Sequence, residues 1–462
     1  MSCSSQYSLS FFLLLSLFFT LSSSHSHSIT LSLSTPKKQN LSSATTKTLR
    51  QQLRQMSLAR SSANISSTTP LFADPNGVDT ITLSFGTPPQ SLDFILSTSA
   101  VINSMPCGTD FSCDYDCTLD PKDIPTFNAN LSNSSALVYC NDTLLQDIVP
   151  YEILADECTL ANASCLAHYT DDEGSLVMSG VILSESLTLP GVTEKAHNLL
   201  VGCASDSFGW PQGIGVAAFG RASSSLASQL KITKFSHCFV SELYQHNHNV
   251  SGSLVLTWGG DDDEEEEEVS DAEGTQNIMH YTPFINNTAY YYLSVEMILV
   301  GGVVVEVPKE YLTPDDDGNG GLKMETGYTF SIMDVHVFEP FVKEFEKQVG
   351  TNYSRATEVE NELFSDGPCY HVGDSGMKGL PELVFRFPGE AELVVPRENL
   401  FASFNESVIC MTIWLDGDSE TDQMDGPAIT LGLWQMQNVY VEYDLANNRL
   451  GFQHKNCSQV SY

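Results

Sequence analysis

Positively charged side chains are scarce in this chain. It has 21 lysines and arginines against 58 aspartates and glutamates, a net charge of −37 over 462 residues. Nucleic acids and anionic membranes bind cationic faces, so we expect neither kind of partner. A long hydrophobic run is missing too, because the apolar stretch at residues 9–21 has 13 residues and a membrane-spanning helix needs about 20. The hydrophobic content of 42% is nevertheless enough for one large core or two ordinary ones.

The first 75 residues differ in character from the rest. The apolar run is followed by the small polar residues 22–28, so residues 1–28 are predicted to be a secretory signal peptide. Residues 29–75 are rich in Ser and Thr and carry six basic residues. This composition predicts a pro-segment held by charge against an acidic body, with a disordered tail as the alternative. We expect a secreted protein of the apoplast or cell wall, with the vacuole as an alternative destination.

Cysteines and glycosylation sequons agree with an oxidising compartment. Eleven of the 12 cysteines lie beyond the signal segment, and six of them fall within residues 107–165. Their spacings match no zinc pattern, so a region of disulfides is favoured over a metal site. Asn-X-Ser/Thr sequons are abundant, and in a secreted chain they predict glycans. The glycosylation candidates are Asn130, Asn133, Asn141, Asn162, Asn249, Asn286, Asn352 and Asn405.

Short segments of alternating hydrophobicity, separated by Gly, Pro and Asn, predict a mostly β protein. Helical periodicity is convincing only over residues 335–349, with residues 223–230 as a second candidate. A weak internal repeat gives each half a strand with a tight turn, followed by an apolar pair closed by glycine, Phe219-Gly220 in one half and Leu431-Gly432 in the other. We therefore expect two lobes with a cleft between them, residues 76–245 and 246–462.

An ordered set of motifs from about residue 76 to residue 457 resembles the pepsin-like aspartic peptidases, in particular the plant nepenthesin-type branch. Among these motifs are Phe85-Gly86-Thr87-Pro88-Pro89-Gln90, the segment GIGVAAFGR at residues 213–221, and Val441-Glu442-Tyr443-Asp444-Leu445. The resemblance implies the bilobal acid protease fold, with two β-barrel-like lobes, a central cleft and a few short helices. It also implies disulfides between Cys369 and Cys410 and between Cys238 and Cys457.

In that family two Asp carboxylates, one from each lobe, share a proton. The ionised one deprotonates a bound water, and the protonated one donates to the scissile carbonyl. The resemblance places these two catalytic positions at Ser97 and Glu325, and the tyrosine position of the flap at Asp171. The hydroxyl of Ser97 is too weak an acid to ionise and act as the base. The side chain of Glu325 is one methylene longer than that of the family's aspartate. Asp93 is on the strand of Ser97 but about 13 Å away, too far to replace it.

Three hypotheses follow from these substitutions. The first is a non-catalytic member of the family, with a peptide or protein ligand in the cleft or on the surface, similar to plant inhibitors of xylanase and glucanase. The second is a weakly active aspartic-type endopeptidase that uses Glu325 and a water held by Ser97. The third is a structural glycoprotein with an occluded cleft. The sequence carries no cofactor motif, and we expect no cofactor, no metal and a monomer.

Overall fold

The computed structural model describes sixteen parts of the chain, and all structural statements below refer to them. They are residues 27–33, 79–113, 121–139, 142, 166–170, 176–189, 196–207, 215–241, 252–258, 279–285, 290–316, 318–363, 365–373, 376–405, 407–416 and 426–459. The flap position Asp171 and the sequons at Asn141, Asn162, Asn249 and Asn286 lie outside the described residues.

Strands dominate these parts, as the alternating hydrophobicity predicts. In the first half of the chain they are β1 (His27–Leu33), β2 (Thr80–Phe85), β3 (Gln90–Ser97), β4 (Asn103–Pro106), β5 (Ser112–Cys113), β6 (Ala136–Leu137), β7 (Leu166–Thr170), β8 (Leu176–Thr188), β9 (Ala196–Ser207), β10 (Gly215–Ala218), β11 (Lys234–Cys238) and β12 (Gly252–Trp258). In the second half they are β13 (His280–Pro283), β14 (Tyr292–Leu293), β15 (Met297–Val300), β16 (Val303–Val304), β17 (Leu322–Met324), β18 (Ser331–Met333), β19 (Ser354–Arg355), β20 (Cys369–His371), β21 (Leu383–Arg386), β22 (Glu392–Val395), β23 (Phe401–Asn405), β24 (Val408–Met411), β25 (Ile413–Leu415), β26 (Ile429–Leu431), β27 (Val439–Asp444) and β28 (Arg449–His454).

Helices are short apart from one. They are α1 (Leu226–Gln229), α2 (Lys309–Leu312), α3 (Val335–Val349) and α4 (Thr357–Leu363). Helix α3 covers the residues whose periodicity predicts a helix, and its buried side chains Phe338, Phe341 and Phe345 recur at spacings of three and four. The side chain of Asp334 caps its start by accepting from the backbone N–H of His336, and Gly350 ends it with a φ of 53°.

The first lobe is built on a nine-stranded sheet with the order β5-β9-β4-β10-β3-β2-β8-β6, and β7 pairs with β8. Strand β2 shows why the sequence folds this way, because Ile81, Leu83 and Phe85 point into the core while Thr82 between them is exposed. The strand that ends at Ser97 is β3, which lies between β2 and β10.

Three sheets form the second lobe. A five-stranded sheet has the order β14-β17-β26-β18-β25, and two four-stranded sheets have the orders β16-β15-β21-β22 and β19-β20-β24-β23. Helix α3 packs Val337 and Phe341 into the same core. Strand β17 lies inside the five-stranded sheet and leads directly into Glu325.

A six-stranded sheet joins the two halves of the chain, with the order β1-β12-β11-β27-β28-β13. Its buried face carries stacked aromatic rings, and the Phe235 and Tyr443 rings lie 4.3 Å apart and nearly parallel. The bilobal all-β fold is thus confirmed. Strand β1 includes residues from both the predicted signal peptide and the predicted pro-segment.

Three disulfides are described in full. Cys238 bonds to Cys457 and Cys369 bonds to Cys410, the two pairs that the family resemblance implies. A third bond joins Cys107, the residue directly after β4, to Cys203 of the parallel neighbouring strand β9. Within the described ranges, no helix is long and apolar enough to span a membrane.

Candidate functional site: Ser97 and Glu325 at the lobe interface

The two strands that carry the site end in equivalent surroundings. Strand β3 runs parallel to β10, with Ala218 opposite Ser97, and the next backbone N–H, of Phe219, donates to the carbonyl of Ser97 at 2.7 Å. Strand β17 runs parallel to β26, and the N–H of Glu325 donates to the carbonyl of Leu431 at 2.9 Å. The repeat seen in the sequence therefore corresponds to two strand ends that meet at the interface of the lobes.

Two buried threonines hold these strand ends together. Thr98 donates through its hydroxyl to the carbonyl of Met324 at 2.9 Å and accepts from the N–H of Thr326 at 3.1 Å. In return, the hydroxyl of Thr326 donates to the carbonyl of Leu96 at 2.6 Å. Both side chains are fully buried, so each lobe supplies hydrogen-bond partners that the other lobe needs.

Ser97 and Glu325 face each other directly. The Ser97 hydroxyl donates to Oε1 of Glu325 at 3.1 Å, and the same carboxylate oxygen accepts from the N–H of Gly327 at 2.8 Å. The Ser97 oxygen accepts from the N–H of Ala100 at 3.0 Å. Only 5% of Ser97 and 1% of Glu325 is exposed. The Glu325 side chain thus extends across the interface to contact Ser97.

The space around this contact is closely filled. A Cβ added at Gly327 would lie 2.8 Å from Oε1 of Glu325 and 3.1 Å from the Ser97 oxygen. Real side-chain carbons do not come as near as 2.8 Å, so only glycine fits without displacing the pair. Asp93, by contrast, is exposed and accepts a hydrogen bond from Thr82 at 2.7 Å on the neighbouring strand. It takes no part in the site, as the distance along its strand predicts.

A buried lysine beside the site was not predicted from the sequence. Lys323 is 3% exposed, and its ammonium lies 5.3 Å from the centre of the Tyr290 ring and 5.8 Å from that of Tyr328. Ring faces stabilise a buried cation. Lys323 precedes Glu325 by two residues and so lies on the same face of the strand. A lysine in an otherwise apolar strand is the sequence signal that could have drawn attention to it.

Beneath the threonines lies a buried aromatic cluster with a histidine in it. Nε2 of His237 lies 3.4 Å from the hydroxyl of Tyr443, and Tyr443 neighbours Thr98. The Phe239 ring packs against the imidazole at 4.4 Å. Burial lowers the pKa of His237 to about 3 and raises that of Tyr443 well above its usual range. Both groups are therefore neutral at physiological pH.

The glycosylation candidates that the structure describes are all on the surface. Asn130, Asn133, Asn352 and Asn405 are exposed. At Asn405 the side-chain oxygen accepts from both the N–H and the hydroxyl of Ser407, the third residue of the sequon. No group of three or more His, Cys, Asp or Glu suited to holding a metal occurs among the residues that the structure describes.

Two β lobes, a sheet that spans them and paired strand ends at their interface define the pepsin-like class of proteins. Family models agree: the model described as xylanase inhibitor N-terminal matches residues 80–257, and the model described as xylanase inhibitor C-terminal matches residues 290–454. This chain belongs to the pepsin-like aspartic peptidase family.

Curated relatives are plant proteins named as aspartic proteases. A probable aspartyl protease of Arabidopsis thaliana is 28% identical over 82% of this chain and 82% of its own length. Aspartic proteinase nepenthesin-2 of Nepenthes gracilis is 26% identical over 84% of this chain and 80% of its own length.

Solved structures show the same fold at low identity. Basic 7S globulin from soybean superposes with a TM-score of 0.60 at 17% identity, covering 83% of this chain and 96% of that one. Conglutin gamma from lupine seeds superposes with a TM-score of 0.56 at 17% identity, covering 82% and 94%.

Proposed function

We propose that this protein is a secreted, glycosylated, non-catalytic member of the family that binds a peptide or protein in its cleft or on its surface. The observation that carries the proposal is the 3.1 Å hydrogen bond from Ser97 to Glu325. In an active dyad the second carboxyl would stand where this hydroxyl stands, and the two acids would share one proton. Here the contact joins one acid and one alcohol.

This pairing removes both halves of the acid–base cycle. A serine hydroxyl cannot hold the ionised or the readily protonated state that the missing aspartate provides. The carboxylate oxygen of Glu325 that faces Ser97 already accepts two hydrogen bonds, from Ser97 and from Gly327. Residues of a catalytic unit act together, so the loss of one commonly lowers the rate by several orders of magnitude.

The hydrogen-bonded architecture around the pair favours binding as the remaining role. The threonine hydrogen bonds keep the lobes in register although the acid pair is gone. The family models matched by both lobes carry the description of a xylanase inhibitor, which favours an inhibitor-like role. The net charge of −37 favours a ligand with a basic surface.

The test is an incubation of purified protein with denatured globin from pH 2 to 6, with and without pepstatin. We expect no pepstatin-sensitive cleavage by the wild type and a gain of it in the Ser97→Asp, Glu325→Asp double variant. Pepstatin-sensitive cleavage by the wild type would instead establish the weakly active endopeptidase. In parallel, a microbial xylanase is assayed on xylan with and without the protein. Slower hydrolysis in its presence would support an inhibitor, and an unchanged rate would exclude that xylanase as the partner.

A further inference from the structure

We propose that residues 27–33 stay in the mature protein as the outer strand of the six-stranded sheet and do not leave with an N-terminal pro-segment. This reassigns the first part of residues 29–75 from a removable leader to a structural element. It also requires that the signal peptide is cut before His27, two or more residues earlier than the boundary predicted from sequence.

Pairing between β1 and β12 is continuous. All seven residues of β1 are matched antiparallel to the seven residues of β12, from His27 opposite Trp258 to Leu33 opposite Gly252, with no bulge. An unbroken ladder of this length is a stable way for a sheet edge to take up a segment. A register slip of one residue would turn the buried face of β1 outward.

The side chains of β1 fit the sheet as an amphipathic strand does. Leu31 is 4% exposed and belongs to the main core, and Ile29 packs against that core from a half-buried position. Ser28 and Thr30, on the other face, are exposed. This inward and outward alternation is typical of a strand whose place in the fold is fixed.

Loss of β1 would uncover the strand next to it. The residues of β12 that pair with Leu31 and Ile29 are Leu254 and Leu256, both fully buried. Without β1 the outer backbone groups of β12 would be unpaired, and an exposed apolar edge of this kind promotes aggregation. The sheet that joins the two lobes therefore depends on residues 27–33 for its protected edge.

Charge also favours retention of the segment that follows. Residues 34–73 carry six basic and no acidic side chains, which leaves 15 basic and 58 acidic residues elsewhere and a net charge of −43 on them. Opposite charges attract each other at moderate ionic strength, which favours association of a basic segment with an acidic body. Because β1 precedes this segment and β2 follows it, one cut within residues 34–78 would give two chains joined through β1.

The experiment uses the full-length protein, secreted from a eukaryotic host, with a recognition sequence for a specific protease inserted between Lys47 and Thr48. After cleavage we expect the N-terminal fragment to elute with the body in gel filtration, one fragment per body, and to separate only in denaturant. Elution of the fragment alone under native conditions would overturn the proposal. So would secretion of a protein that begins near residue 76 with no bound peptide.

Two variants in the strand show whether retention depends on the observed packing. Leu31→Asp places a charge in the core and should lower the co-eluting fraction at least tenfold, whereas Thr30→Asp, on the exposed face, should leave it unchanged. An equal loss of co-elution in both variants, or no loss in either, would contradict the assignment of residues 27–33 as a retained strand. If Leu31→Asp is not secreted, the test is amide hydrogen exchange of residues 252–258 in the wild-type protein after cleavage. Retention of β1 predicts the same protection from exchange as before cleavage. Exchange at the rate of unpaired amides would contradict retention.

Discussion

Acidification should weaken this fold through His237. Its imidazole is fully buried in the sheet that joins the lobes, and its pKa is lowered from 6.5 to about 3. Because the unfolded chain takes up a proton at about pH 6.5 and the folded chain does so only near pH 3, stability is highest above pH 6.5 and is lost as the pH falls between those values. The loss is about 1.4 kcal/mol per pH unit, or roughly 5 kcal/mol in full.

The sign and size of this loss of unfolding free energy can be measured with His237→Phe, which keeps a ring against Phe239 and removes the titrating imidazole. Between pH 7 and pH 4.5 the wild type should lose about 2.7 kcal/mol more unfolding free energy than the variant, because two pH units lie within the window. Urea unfolding at both pH values measures it. His454→Gln, in which an exposed imidazole is removed, is the matched control. Parallel pH profiles of unfolding free energy for the wild type and His237→Phe would show that His237 does not cause the loss of stability.

Three further predictions concern the site and its supports. Thr98→Val should lower the unfolding free energy by roughly 1–3 kcal/mol, because it leaves the buried carbonyl of Met324 and the N–H of Thr326 without their hydrogen-bond partner. The control variant Thr82→Val, at an exposed position, should lower it by less than about 0.5 kcal/mol. Equal urea midpoints for the two variants would contradict the role of Thr98. Gly327→Ala should separate Ser97 from Glu325 beyond hydrogen-bond distance, because the added carbon would otherwise lie 2.8 Å from Oε1 of Glu325. A crystal structure of the variant with the 3.1 Å contact intact would contradict this prediction. Replacing Cys369 and Cys410 by serine frees a loop of 41 residues and should cost roughly 4 kcal/mol in thermal or urea unfolding, and a loss below about 1 kcal/mol would count against it.

Much of the fold follows from local pattern. The alternation in β2 and the spacing of phenylalanines in α3 are properties of short segments, and burial of one face decides them. The meeting of Ser97 with Glu325 is less local, since 228 residues separate them. It could be expected only because ordered motifs resemble a family in which those positions face each other.

Other features of the site depend on contacts that no local pattern encodes. Thr98 and Thr326 bond to backbone atoms of the opposite lobe, so neither hydroxyl is marked by its sequence neighbours. Lys323 is stabilised by rings that come from other positions in the chain, and an isolated lysine normally predicts a solvent-exposed position. Strand β1 has the alternating hydrophobicity of a strand, but in the sequence it directly precedes a Ser- and Thr-rich segment whose composition suggests a leader.

We propose that Ser97 and Glu325 form a hydrogen-bonded pair and not a proton-sharing acid dyad. The most direct test is turnover of an internally quenched peptide at pH 4 by the wild type and by Glu325→Gln, prepared side by side. We expect the same background rate for both proteins, with no effect of pepstatin on either. Pepstatin-sensitive turnover by the wild type that disappears in Glu325→Gln would contradict it.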